Sequence, residues 1–370
     1  MGLVYFISTL FIGLASFCKK NQSKYLTYII LSLLIFLISL RSAPDEYLAY
    51  IEEFGNWNSV VNGFPLAEPF FSLICLICSK TSNPLFWLYL STYIATFLLI
   101  IQGLRVSQLS FKSIPICISF YLAHWFLTLG YVAIRGSLAN ALCFYGACLL
   151  FSKKNFLIRN LFFILGILTH VQTTILVFSI YLVFIMQMEK TLFSKLYKLA
   201  IKRIYFILPL TALLFILLSE IIANLNTSIL TELFLNNTRY NLYVEDLEDT
   251  AFFVVSIFEL SGTFNIGLQG MLIYLYLKRI KIFNNYLYAM LTLSIFGTFI
   301  LLSFYNFSFL AFRFASGFLL FNLPIIGYTL EKKEKGIIKN SSFSFIYIAI
   351  IVIFLTYNVF LQNKFGNFAI

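Results

Sequence analysis

Apolar residues arrive in this chain as blocks of roughly 17–22, separated by short polar gaps, and that spacing decides the fold class before any motif is read. A helix of about 20 residues crosses the hydrocarbon core of a bilayer. Lipid offers the backbone no hydrogen bonds, so each block has to satisfy its own amides and carbonyls as a helix. The alternation that a membrane β-barrel needs is absent. Composition agrees: 61% of the residues are hydrophobic and 11% charged, with a mean hydropathy of +0.91. Soluble domains run closer to half apolar and about a quarter charged.

The blocks predict an all-α, polytopic membrane protein of about 12 spans, near residues 3–18, 25–41, 84–104, 113–130, 134–151, 156–169, 171–188, 204–223, 253–277, 283–303, 309–330 and 343–361. The first block lacks a basic start and a small-residue cleavage site, so it is expected to stay as a helix. The whole chain, 1–370, reads as a single integral membrane domain with two long loops, 42–80 and 224–250. Within the first loop, Phe70 to Ser79 is too short to cross and reads as a re-entrant or interfacial helix.

A net charge of +11 would suggest nucleic acid in a soluble protein. Here 20 of the 26 basic residues fall in the gaps of one side, as the positive-inside rule expects of cytoplasmic loops. The other six are Arg41, Lys80, Arg135, Arg239, Arg313 and Lys364. That bias puts both long loops and both termini on the extracytoplasmic side and excludes nucleic acid as a partner. A further full span at Phe70–Ser79 would invert every later loop and break the bias. The six cysteines lie in or beside apolar blocks, and the Cys75–Cys78 pair has no second pair to complete a zinc site, so no metal or cofactor is expected. The acidic run Glu245 to Asp249 could hold a divalent metal through oxygen ligands, but a run of this kind on a loop more often is simply solvated.

With so few charges, an ionisable group at the edge of a span marks a candidate site. Arg41 ends the second span, Arg135 opens the fifth, Arg313 lies a turn into the eleventh, and Arg239 sits in the second long loop. Snorkelling to the interface is the plain alternative. A planar, permanent cation suits phosphate, and several suit pyrophosphate. Arg135 also lies at a helix N-terminus, where free amides favour an anion. His170 ends the sixth span at the outer edge, and His124 lies about six residues below the outer end of the fourth. A neutral imidazole can take a proton from an attacking hydroxyl, whereas a structural hydrogen bond between helices is the bland reading.

In order and placement these features resemble the Wzy-type polysaccharide polymerases, especially the EpsG-like branch. The stretch Arg41-Ser42-Ala43-Pro44-Asp45-Glu46-Tyr47 follows the second span, and Glu68-Pro69-Phe70-Phe71 opens the short apolar piece. Next come Ile134-Arg135-Gly136-Ser137, where the branch usually has Gln in place of Gly136, then His170 with small polar residues, and Phe312-Arg313-Phe314-Ala315. Arg135 and Gly146 also satisfy an Arg–x10–Gly spacing that chance produces readily.

The resemblance implies a GT-C-like membrane glycosyltransferase of the bacterial inner (cytoplasmic) membrane, working at the periplasmic face. Such an enzyme moves a growing glycan from undecaprenyl pyrophosphate to a hydroxyl of an incoming lipid-linked repeat unit. It implies Arg135 and Arg313 on the pyrophosphate and His170 as base. Arg41, Asp45, Tyr47, Glu68, Arg239 and His124 are then expected around the substrate. A chain-length regulator and a flippase are the expected protein partners. A lipid-linked glycan ligase would use the same chemistry. A flippase or transporter with 12 spans would favour an internal repeat and charges near the midplane, and this chain has neither.

Overall fold

The computed structural model describes residues 1–41, 68–130, 133–153, 156–188, 214, 267–268, 270–271, 285–303, 308–331 and 340–361. Among these residues there is no strand. The helices are α1 (Gly2–Leu14), α2 (Lys20–Ser39), α3 (Pro69–Ser79), α4 (Pro84–Val106), α5 (Ile114–Tyr121), α6 (Ile134–Phe151), α7 (Phe156–Thr169), α8 (Thr173–Met188), α9 (Asn285–Ser303), α10 (Ser308–Leu319), α11 (Asn322–Glu331) and α12 (Asn340–Leu355). α5 and α12 run on into π-helical turns, Leu122–Gly130 and Thr356–Leu361. Most of the spans expected near 204–223 and 253–277, and the whole of the second long loop, lie outside the described residues.

Among the described residues, five helical segments are long and apolar enough to cross a bilayer: α2, α4, α6, Phe314–Glu331 and Phe343–Leu361. Shorter apolar helices accompany them. The apolar side chains that point away from the protein, such as Leu33 and Phe178, are over half exposed. In water such a surface would drive association, whereas lipid solvates it. The molecule is a helical membrane protein.

Differences from the expected boundaries have local causes. α2 begins at Lys20 and takes in Lys24, because a long basic side chain can reach the interface from within a helix. The block expected at 309–330 breaks at Leu320–Phe321. Pro324 lacks the amide that would bond to the Leu320 carbonyl, and its ring crowds that carbonyl. The tighter Leu323 N to Leu320 O bond, 3.0 Å, takes its place.

α6 is the centre of the bundle, and small residues let its neighbours approach. A Cβ on Gly103 of α4 would stand 2.6 Å from the Phe144 ring of α6. α6 and α7 form an antiparallel hairpin closed by two glycines. A Cβ on Gly166 would lie 2.5 Å from Cys143 Sγ, and one on Gly146 would lie 2.8 Å from Phe163. Backbones that approach this closely gain dispersion contacts all along the pair, the main force between helices in lipid. α10 joins α6 through Asn140 Nδ2, which donates to Ser316 Oγ at 2.8 Å, with Gly317 against the same asparagine.

The described charged residues gather toward the two ends of the bundle. At one end stand the starts of α3, α4, α6 and α8 and the ends of α2 and α7, with Arg41, Lys80 and Arg135. At the other stand Lys19, Lys20, Lys24, Arg105, Lys112, Lys153 and Arg159. There Glu331, the last residue of α11, accepts hydrogen bonds from Ser110 N and from Ser113 Oγ (2.6 Å for the latter), closing the turn between α4 and α5. In the same region Ser107 bonds Tyr286, and Ser23 donates to the Phe111 carbonyl.

Candidate active site

The α6–α7 hairpin fixes the site. Arg135 stands in the first turn of α6, and α7 returns antiparallel to end beside it at His170. His170 N still donates to Gly166 O at 3.0 Å, closing the last turn. Thr173 N (3.0 Å) and Thr173 Oγ1 (2.7 Å) both donate to the His170 carbonyl, turning the chain into α8. The ring therefore leaves from a fixed backbone corner, and Gly136 lies against its edge: a Cβ there would be 3.6 Å from His170 Cδ2.

The third element is α3. Glu68 is its N-cap residue, with φ −70° and ψ 89°, and Pro69 follows at the first helical position. A residue before proline is kept out of the helical region, so the helix begins after Glu68, whose side chain is free of the helix surface. Its carboxylate reaches both neighbours. Arg135 Nη1 donates to Glu68 Oε2 at 2.6 Å, and His170 Nδ1 bonds Glu68 Oε1. His170 Nε2 bonds Gln172 Oε1 at 2.9 Å.

Electrostatics explain why the three groups gather. A cation in the first turn of a helix faces the positive end of the dipole, an unfavourable place for it alone. The Glu68 anion offsets this. Burial pushes the Glu68 carboxyl up, but the His170 hydrogen bond and the Arg135 and His170 charges together outweigh it. It titrates below the ordinary carboxylate range and stays ionised at neutral pH. Glu68 is buried, while Arg135 and His170 keep part of their surface open, 19% and 17% exposed. Two groups able to meet a substrate are thus held from behind by one that is not.

Other residues expected at the site take varied places. Arg41 is buried at the same end of the bundle, with its guanidinium carbon 4.1 Å from the Tyr89 ring centroid. Such stacking holds a cation through the ring's negative face. Arg313 lies on α10, three residues before Ser316, and Arg135 lies five before Asn140 on α6. At 1.5 Å per residue both backbones rise to within about 3 Å of one another in depth. His124 falls in the π-helical turn after α5, buried, with its ring 3.9 Å from that of Phe354 of α12. A π-turn places an extra residue in the ladder and often marks a functional position. Asp45, Tyr47 and Arg239 lie outside the described residues.

Gly146 fits a packing role, since Phe163 occupies the space its Cβ would need. Cys75 and Cys78 are free thiols on α3. Two features escaped the reading of the sequence. Glu68 has two protein partners, 67 and 102 residues away along the chain. Gln172 bonds the histidine two residues before it.

No curated protein and no solved structure matches the chain. A protein-family model does, over residues 4–369, nearly the full length. By that match the chain belongs to the EpsG family.

Proposed function

We propose that this protein polymerises a cell-surface polysaccharide at the outer face of the bacterial cytoplasmic membrane. Its donor is a growing glycan on undecaprenyl pyrophosphate, and its acceptor is a hydroxyl of the next lipid-linked repeat unit. Family membership supports a polysaccharide polymerase. The observation that carries the finer reading is the Glu68 carboxylate gathering Arg135 and His170 into one partly open cluster, at the end of the bundle opposite most of the described lysines.

In the reaction the acceptor oxygen forms a bond to the anomeric carbon of the donor glycan. The bond from that carbon to the pyrophosphate oxygen breaks, and its electron pair leaves on the lipid pyrophosphate. Negative charge grows there, so cations fixed in advance lower the barrier. Arg135 is held for that task by Glu68, and Arg313, on α10, is the second cation in this reading. Arg41 supports from its place beside Tyr89. His170 takes the acceptor's proton. Asp45, Tyr47 and Arg239 are assigned to substrate binding in this reading, and His124 lies deeper, buried against Phe354. A flippase that delivers the repeat unit and a chain-length regulator are the protein partners this reaction calls for.

Replacing Arg135 tests the reading. In the native host, Arg135→Ala should reduce the surface-glycan ladder to single repeat units while the protein still inserts. Arg135→Lys should restore little, because an ammonium lacks the two-pronged geometry. A full ladder in Arg135→Ala overturns the assignment, and units trapped inside the cell would point to a flippase.

A further inference from the structure

Glu68 accounts for Nδ1 of His170, and Gln172 holds Nε2, with its side-chain oxygen 2.9 Å away in the turn between α7 and α8. On the remaining flank stands Gly136, where even a Cβ would keep 3.9 Å from Nε2. The ring is therefore gripped at both nitrogens, with room for a small group beside the second.

We infer that Gln172 is a positioning residue for His170, holding the ring by Nε2 until the acceptor hydroxyl takes over that nitrogen on the Gly136 side. The inference rests on the polymerase reading, in which Nε2 receives the acceptor's proton as the new glycosidic bond forms. The chemistry of the two partners differs. An ionised Glu68 only accepts, so Nδ1 keeps its proton and Nε2 is the nitrogen that gains and loses one. An amide serves both states: its oxygen accepts from Nε2–H, and after a half-turn its nitrogen donates to the bare Nε2. A carboxylate in the same place would serve the protonated state alone. Among the described residues, the charged groups facing the ring are Glu68 from the start of α3 and Arg135 from the first turn of α6. Thr173 and Gln172, from its own turn, are neutral.

The test compares two variants of nearly equal size, Gln172→Met and Gln172→Glu, in the full chain. The protein is labelled with ¹⁵N-histidine in nanodiscs. The chain has two histidines, so a His170→Asn sample assigns the His170 ring. In Gln172→Met the Nε2 resonance should move while Nδ1, still on Glu68, stays. The surface-glycan ladder should shorten in step with a roughly threefold to tenfold loss of turnover, the scale of one hydrogen bond. Gln172→Glu should keep Nε2 protonated and polymerise more slowly still, which a space-filling role would not produce. Wild-type ladders in Gln172→Glu, or an unmoved Nε2 resonance in Gln172→Met, overturn the inference. If Gln172→Met does not insert, the glutamate variant decides alone. A full ladder in His170→Asn would instead remove His170 as the base, and the ring spectra would still score the Gln172 contact.

Discussion

Glu68 and Arg135 meet through a single 2.6 Å hydrogen-bonded ion pair, although 67 residues separate them in the chain. The carboxylate is the more deeply buried partner, so the pair aims the guanidinium outward from a fixed base. An uncompensated charge left in such a setting is destabilising.

Glu68→Gln keeps the shape of the side chain and removes its charge. The variant should lose about 1.5–3 kcal/mol of stability, the scale of hydrogen bonds to charged groups. Polymerisation should fall by at least tenfold, because Arg135 and His170 lose their common anchor. Thermal unfolding in detergent and the length of the surface glycan measure the two effects. A stable, fully active Glu68→Gln protein would dissolve the cluster as a functional unit.

Acid supplies a second handle on the same carboxylate. The Glu68 pKa is depressed in the folded protein. Its contribution to stability is therefore present above the ordinary carboxylate range and is lost as the pH falls through the lowered folded value. Unfolding temperature, followed downward from about pH 5, should fall more steeply for the wild type than for Glu68→Gln, whose side chain does not titrate. Parallel curves would contradict the assignment.

Two glycines near the site should respond in opposite ways to one methyl group. Gly136→Ala places a Cβ in ordinary contact with His170, at 3.6 Å, and should leave stability within about 0.5 kcal/mol. Gly166→Ala drives a Cβ to 2.5 Å from Cys143 Sγ, with the Ala139 carbonyl close behind at 3.3 Å. The hairpin has to open, and overpacking of this kind costs about 1–3 kcal/mol. His170 moves with the end of α7, so activity should fall together with the unfolding temperature.

Orientation is read with a membrane-impermeant maleimide on intact cells. Lys80 and Lys153 are exposed and stand at opposite ends of the bundle. Lys80→Cys should label from outside, and Lys153→Cys only after lysis. The reverse pattern would place the Glu68 cluster on the cytoplasmic side and remove a substrate presented outside.

Periodicity made α7 legible residue for residue and gave α3 its short length, since both follow from where the apolar run starts and stops. The break at Leu320 was also written locally, in Pro324. The π-helical turns were not, because they depend on packing such as Asn358 Nδ2 donating to Ala123 O, 2.9 Å across the bundle. Arg135 and His170 stood out because charge at a membrane edge is rare. Glu68 stood out only through the family resemblance, and its double partnership did not show, since nothing in the spacing of residues 68, 135 and 170 brings them together. Gln172 gave no signal, because a neutral amide in a turn resembles any other.

Glu331 has a different consequence, for how the chain is made. The turn it closes, at Ser110 and Ser113, leaves the ribosome some two hundred residues earlier. Until α11 is threaded into place, the Ser110 amide has to borrow water or a lipid headgroup as a stand-in, while the Ser113 hydroxyl keeps only the Ser110 carbonyl, 3.1 Å away. The α4–α5 corner is therefore provisional throughout synthesis and becomes permanent only when nearly all of the polypeptide is in the membrane. Chains cut short before Glu331 should carry that corner frayed, offering quality-control proteases a foothold that the finished protein withholds.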